Sequence, residues 1–322
     1  MGAEPGQVVG VDAGGTATRA LAVDPEGRVL GRGQSGGGNP NSHPPEQAAA
    51  HIAEAIGAAL TAMDPALTRA CTVGMAGTSK LSDPEVAAVF QRAWDGLGLG
   101  CPVRLVTDAE AAYAAATARP DGTVLIAGTG SIAGRIRKRR MARTVGGYGW
   151  LLGDEGSAFW IGREAVRFTL DALGRGEPLD GLAAAVLAEA LGLSGVDQLT
   201  DGGRMAAWRG LITAANAEPP VRLARFAPLV SAAEEAGRPG AKEITERAAD
   251  HLVASALETR DAGEDTPVVL VGSVLGERSP VGAKVRHRLA GFDVLTSPDG
   301  VLGAAWLAAV DAFGEDAPRP HS

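Results

Sequence analysis

Two stretches of this chain share one layout, and that repeat restricts the fold more than any single residue does. "VVGVDAGGTATRALAVDPEGRVL" (Val8 to Leu30) reads as an apolar strand, a glycine-rich turn with hydroxyls, and a second strand. The turn Asp24-Pro25-Glu26-Gly27 and a third strand follow. "TVLIAGTGSIAGRIRKRRMARTVGG" (Thr123 to Gly147) restarts the same order. Behind the first copy, helical periodicity runs from about Pro45 to Ala62, and "CTVGMAG" reads as a buried strand that starts at Cys71. "DPEVAAVFQRAWDGLGL" is a helix with Asp83 as N-cap and Pro84 in first position. "VRLVTDA" is a strand that enters an Ala-rich helix from Ala109 to Ala118. Behind the second copy, helices fill most of 155–263. "TPVVLVGSV" (strand), a short helix, "FDVLTSP" (strand) and a closing helix near Leu302 to Phe313 complete it.

Two such copies predict a duplicated α/β fold with two lobes, mixed five-stranded sheets and an interlobe cleft, where ligand sites are favoured. The N-terminal lobe is expected over residues 1–115, with the closing helix, 302–314, packing back on it. The C-terminal lobe is expected over 116–301, with a helical insertion at about 155–263. A length of 322 residues suits two lobes better than one core.

Composition removes several classes. A formal net charge of -8 provides no global positive field, so nucleic acid is not an expected partner. No apolar run reaches the 18 or so residues of a membrane span, and no signal peptide is expected. Only Cys71 and Cys101 occur, without a CxxC, which argues against a disulfide scaffold or thiolate zinc site and suits a cytoplasmic location.

The glycine turns carry the chemistry. In Asp12-Ala13-Gly14-Gly15-Thr16, glycines let backbone N–H groups approach an anion, and Thr16 or Thr18 adds hydroxyl donors. A carboxylate beside phosphate repels it unless hydrated Mg²⁺ lies between them; the plain alternative is a hairpin turn with a solvated Asp. Gly128-Thr129-Gly130-Ser131 offers the same donors without the acid. With Ala133 it satisfies GxGxxA, but a strand rather than a helix follows, and no Walker A sequence is present. Asp108, at the end of "VRLVT", is either a helix N-cap or a catalytic base at a strand's carboxyl end.

"GGYGWLLGDEGSAFWIG" (Gly146 to Gly162) concentrates glycines, the acids Asp154 and Glu155, and large aromatics. The acids can cap a helix or accept from sugar hydroxyls, and an aromatic can cover an apolar sugar face. Asn39, in "NPNSHPPEQ", can present an amide to a hydroxyl or simply build a loop. "RIRKRR" (Arg135 to Arg140) reads as a solvated edge that resists strand pairing. "VGSV" (Val271 to Val274) and "GVLGAAW" (Gly300 to Trp306) place small residues where a flat base could slide, or where elements pack closely.

With these residues assembled, the chain resembles the sugar-kinase, actin and heat-shock ATPase superfamily. More closely it resembles the N-acetylglucosamine and glucosamine kinases of the BadF/BadG/BcrA/BcrD ATPase family, whose domain is shared with activator ATPases of acyl-CoA dehydratases. The resemblance runs from Asp12 to Trp306 and is most specific in "GTGS" followed by "GGYGWLLGDEGSAFWIG". It implies a ribonuclease H-like (actin-like ATPase) fold and an ATP-dependent hexosamine kinase that phosphorylates the 6-hydroxyl of N-acetylglucosamine or glucosamine.

In that pattern Asp12 holds Mg²⁺ through water, and Gly14, Gly15, Thr16 and Thr18 surround the phosphates. Asp108 is the base, and Gly128, Thr129, Gly130 and Ser131 form a second phosphate clasp. Asn39, Asp108, Gly147, Asp154 and Glu155 surround the sugar, and Gly272, Ser273, Gly303 and Ala304 border the adenosine. Such kinases are commonly homodimers. Three positions depart from relatives: Glu110 replaces a small residue, Lys138-Arg139-Arg140 replaces an Asp-Gly turn, and Ala76 stands where a serine can meet an acetamido group.

The alternative is an activator ATPase coupled to a redox partner, which would need cysteines to hold an iron–sulfur cluster. A sugar-responsive regulator would need a DNA-binding module, for which residues 1–7 leave no room. Zinc-bearing glucokinase-like relatives would need a cysteine cluster.

Overall fold

The computed structural model describes residues 6–179, 181–297 and 299–321; the ends of the expected lobes at residues 1–5 lie outside them. By internal contacts the chain forms two units. The first comprises Met1–Asp121, Ile136–Ala142 and Leu295–Ser322, and the second Gly122–Arg135 and Arg143–Val294.

In the first unit, β1 (Gln7–Ala13), β2 (Ala17–Val23) and β3 (Val29–Gly36) are followed by α1 (Pro45–Ala59) and β4 (Thr68–Met75). Then come α2 (Pro84–Asp95), β5 (Val103–Thr107) and α3 (Asp108–Ala116). The sheet order is β3-β2-β1-β4-β5, with β1–β2 and β2–β3 antiparallel and β1–β4 and β4–β5 parallel. Strand periodicity sorts the core. Val9, Val11 and Ala13 face Ile52 and Ile56 of α1 and Phe90 and Trp94 of α2. Asp83 caps α2 by accepting from the Glu85 N–H, with Pro84 at the first position. Cys71 lies inside β4 rather than at its start, because pairing with β1 reaches back to Thr68.

The second unit contains β6 (Gly122–Ala127), β7 (Ser131–Arg137) and β8 (Arg140–Gly146), whose hairpin tip groups with the first unit. The helices are α4 (Ala158–Arg175), α5 (Gly181–Leu191), α6 (Asp201–Asn216), α7 (Ala227–Glu235) and α8 (Pro239–Glu258). Next are β9 (Val268–Val271), α9 (Pro280–Arg288) and β10 (Val294–Thr296). The order β10-β9-β6-β7-β8 matches the first sheet strand for strand, with β6 and β9 parallel as β1 and β4 are. The two mixed five-stranded sheets are therefore a duplication.

The closing helix, α10 (Gly300–Phe313), packs on the opposite face of the first sheet from α1 and α2. Val301, Ala305 and Ala309 meet Val8, Leu21 and Val23. Two glycines allow this approach. A Cβ at Gly10 would lie 2.0 Å from the Ala305 nitrogen, and one at Gly303 would lie 1.8 Å from the Ala111 oxygen in α3. Gly303 and Ala304 are buried in this crossing, Ala304 completely. The expectation that they border adenosine is thus corrected: their small size serves backbone-to-helix contact, and no surface remains for a base.

The basic run is only partly a solvated edge: Lys138 and Arg140 are exposed and Arg140 opens the edge strand β8, whereas two of its arginines are fastened. Arg135 pairs with Asp261 and Glu264. Arg139 stands 5.1 Å from the Trp306 ring centroid and pairs with Glu315 at 2.6 Å. Lys138 and Arg139 adopt left-handed φ of 49° and 59°, which costs about 1–2 kcal/mol per residue. Their N–H groups are received by Asp121 Oδ1 and the Pro120 carbonyl, both at 2.7 Å, so the turn is held without an Asp-Gly pair.

Candidate functional site

The carboxyl ends of β1, β4 and β5 gather the expected groups of the first unit. Asp12 is paired in register with Gly74, and Met75 with Thr107, the residue before Asp108. Two strand spacings separate β1 from β5, so Asp12 and Asp108 stand about 10 Å apart along the sheet edge.

Asp108 is not an N-cap. Thr107 caps α3, its hydroxyl accepting from the Glu110 N–H at 3.1 Å while Glu110 Oε2 accepts from the Thr107 N–H at 2.7 Å. This capping box relieves Asp108 of that duty. Its Oδ1 accepts from the Ala109 N–H at 2.9 Å, and the side chain opens to solvent. The surrounding protein nevertheless withdraws water from the carboxyl and raises its pKa, and the nearby Asp12 charge raises it further. Glu110 is buried, and its Oε1 accepts from the Met141 N–H at 2.7 Å. The extra negative charge seen in the sequence is a structural acceptor.

Asp12 accepts from Arg19 at 2.6 Å, and Arg19 also reaches Asp299 at 3.0 Å, the cap of α10. Burial raises the Asp12 pKa, opposed by Arg19. Sequence reasoning missed both Arg19 and Asp299, the second because it lies 287 positions from Asp12 and shows only a helix-capping signal. Among the described residues, no group of three or more His, Cys, Asp or Glu is placed to hold a metal. Asp12 Oδ1 accepts no hydrogen bond among them, and one free carboxylate oxygen fits a divalent cation that would be held through water.

The first glycine turn is shaped from behind. Gly14 O accepts from the Gly38 and Asn39 N–H groups at 3.1 and 3.2 Å, and Gly15 O accepts from His43 Nε2 at 2.7 Å. In a trans peptide the N–H points opposite to the carbonyl. The Gly15 and Thr16 N–H groups are therefore turned outward, and they donate no hydrogen bond among the described residues. Gly15 and Thr16 are exposed, whereas Thr18 is fully buried and its hydroxyl donates to Gly36 O at 2.8 Å. Thr18 anchors the turn and does not reach outward. Asn39 Oδ1 accepts from the Asn41 N–H at 2.8 Å, which leaves its amide NH₂ to donate, and a Cβ on Gly77 would lie 3.0 Å from that oxygen.

In the second unit the start of α4 plays the part of that loop. Ala158 N–H donates to Gly128 O at 2.8 Å and Phe159 N–H to Thr129 O at 3.2 Å. The Thr129 and Gly130 N–H groups are turned outward by the same peptide geometry. Gly128 has no left-handed φ, and a Cβ there would meet nothing within 4 Å. The fold does not require glycine at this position.

Asp154 (φ 60°) accepts from the Ser131 N–H at 3.0 Å, and Ser131 Oγ donates to Glu155 O at 2.9 Å. The acids expected at a sugar are thus fastened to the second turn, with the Glu155 side chain exposed. Gly147 adopts φ 72° and donates to Ser131 O at 3.1 Å. Thr129 and Ser273 line one cavity of about 1170 Å³, walled by α4, α7 and the loop to α9. Gly272, at φ 99°, sits at the end of β9, and a Cβ there would lie 2.4 Å from Ala127 O.

A sequence model of the BadF/BadG/BcrA/BcrD ATPase family matches residues 9–308. An N-acetylmuramic acid/N-acetylglucosamine kinase of Clostridium acetobutylicum is 33% identical over 166 residues, 51% of this chain and 53% of that protein. An N-acetyl-D-glucosamine kinase of Dictyostelium discoideum is 31% identical over 188 residues, 56% of this chain and 59% of that protein. The chain thus spans little more than half the length of these curated relatives. The crystal structure of a Chromobacterium violaceum protein, provisionally described as an N-acetylglucosamine kinase, is similar with a TM-score of 0.69 and 24% identity. That likeness covers 94% of this chain and 99% of that one.

Proposed function

Because the chain belongs to the BadF/BadG/BcrA/BcrD ATPase family, we propose that it is an ATP-dependent amino-sugar kinase. The γ-phosphoryl group of ATP passes to the 6-hydroxyl of N-acetylglucosamine or glucosamine in the cytoplasm. Asp108 carries the reading. An activator ATPase needs no base for a substrate alcohol. Here a carboxylate stands at the sheet edge, open to solvent and spared from capping by Thr107, with its pKa raised by desolvation and by the Asp12 charge.

Asp108 takes the proton of the 6-hydroxyl as that oxygen bonds to phosphorus and the bond to the ADP oxygen breaks. In the first unit the outward N–H groups of Gly15 and Thr16 orient phosphate oxygens and stabilise their charge; in the second unit those of Thr129 and Gly130 are suited to the same task. Thr18 supports the first turn, and Ser131 and Asp154 the second. Thr129, Gly272 and Ser273 border the adenosine, and Asn39, Gly147 and Glu155 engage sugar hydroxyls. Asp12 would hold Mg²⁺ through water, which supplies neutralisation of phosphate charge. A homodimer is compatible with this reading.

The activator alternative is disfavoured by Cys71, which is buried within β4 with its thiol pKa pushed up by desolvation. Incubation with ATP, Mg²⁺ and a sugar panel tests the proposal: ADP release above the sugar-free control is expected for hexosamines, and its absence rejects the reading. The ratio of kcat/KM for glucosamine and N-acetylglucosamine then identifies the sugar. A purified protein that is colourless and iron-free is expected on the same grounds.

A further inference from the structure

The stretch "NPNSHPPEQ" contains a second polar group with a stated place in the fold. His43 lies half-buried, and its Nε2 is 2.7 Å from Gly15 O. A carbonyl only accepts, so Nε2 carries the hydrogen and donates. The approach is close: a Cβ on Gly37 would lie 2.3 Å from both Gly15 O and His43 Nε2, and one on Gly15 would lie 3.3 Å from Ser42 Oγ. His51 Nδ1 meets the Gly37 carbonyl at 2.9 Å, and the two imidazoles stand edge to face with centroids 6.1 Å apart.

Gly15 O and the Thr16 N–H belong to one planar unit and point in opposite directions. Whatever holds the oxygen aims the N–H. Gly14 O is held by two backbone donors from the loop, but for Gly15 O the imidazole is the donor found among the described residues. The backbone of residues 38–39 therefore fixes the Gly15 N–H, and a side chain fixes the Thr16 N–H.

We propose that His43 is a positioning residue for the anion-facing turn: its Nε2–H holds the Gly15–Thr16 peptide so that the Thr16 N–H stays aimed at a nucleotide phosphate. The proposal rests on the kinase reading above. His43 touches no substrate. Without it the peptide is free to rotate, and one of the two outward donors of the first unit is no longer pre-aimed. Asn39 keeps its Asx turn and its bonds to Gly14 O, so the sugar-side amide stays in place.

The test compares wild type, His43→Ala and His43→Gln by calorimetry with Mg·AMP-PNP, and separately with N-acetylglucosamine or glucosamine. Loss of one pre-aimed hydrogen bond predicts that His43→Ala raises the nucleotide Kd about fivefold. The sugar Kd stays within about twofold, and the unfolding temperature within about 2 °C, as for a surface substitution. The glutamine amide places an N–H near the Nε2 position and restores most of the nucleotide affinity. An unchanged nucleotide Kd in His43→Ala, a parallel loss of nucleotide and sugar affinity, or no rescue by His43→Gln overturns the inference. Failure of the wild type itself to bind nucleotide or phosphorylate any sugar refutes the kinase reading instead.

Discussion

Gly128→Ala separates stability from ligand approach. Its φ is one that alanine adopts without strain, and the added methyl meets nothing within 4 Å. Replacing such a glycine narrows the unfolded ensemble and stabilises by about 0.4–1 kcal/mol. For units of this size that raises the unfolding temperature by about 1–4 °C. The same methyl stands on the open side of the turn that presents the Thr129 and Gly130 N–H groups. Keeping phosphate from one of these donors forfeits a hydrogen bond to a charged group, about 1.5–3 kcal/mol, or roughly 10- to 150-fold in Kd. Differential scanning fluorimetry and calorimetry with Mg·AMP-PNP read the two effects on one preparation. Gly130→Ala serves as the contrast: its Cβ would lie 2.8 Å from Asp154 Oδ1, so stability is expected to fall. A Gly128→Ala protein that binds nucleotide within about twofold of wild type refutes the assignment of this turn to phosphate.

Asp108→Asn should keep sugar affinity while turnover falls at least about 100-fold, measured by coupled ADP release. Because the Asp108 pKa is raised in the folded chain, ionisation there opposes folding above the ordinary carboxylate range and does not below it. The asparagine variant should therefore unfold at higher temperature than wild type at pH 7, with the gap closing in acid. Glu110→Ala orphans the Thr107 and Met141 N–H groups and should destabilise by about 2–4 kcal/mol in urea titrations, with Glu110→Gln intermediate. Gly303→Ala drives a methyl to 1.8 Å from Ala111 O and should cost at least about 3 kcal/mol or abolish soluble expression.

Much of the fold was legible because its signals are local. Alternation exposes β1 and β2, and the Asp24-Pro25-Glu26-Gly27 turn is closed by Asp24 accepting from the Glu26 and Arg28 N–H groups. The cap of α3 was misplaced on Asp108 although its signal is local: "TDAE" is a capping box, which makes Thr107 the cap. Other features depend on partners far along the chain. Nothing near Arg139 foretells Trp306, and nothing near Asp12 foretells Arg19 bridging to Asp299. Gly303 and Ala304 were misread because small residues in a helix look alike whether they face a base or another backbone. The Ala-rich run of α3 was the available hint. The role of His43 was not legible, since it depends on which way one carbonyl points.

The placement of α10 bears on how the chain is made. The helix supplies Val301, Ala305 and Ala309 to the face of the first sheet, yet it is made after every strand of both sheets. At about 5–20 residues per second, β1 to β5 wait roughly 10–40 s after their own synthesis with Val8, Leu21 and Val23 uncovered. The second unit, continuous apart from the tip of one hairpin, meets no such delay. A nascent chain stalled before Gly300 should thus hold a protease-resistant second unit beside a first unit that chaperones still bind.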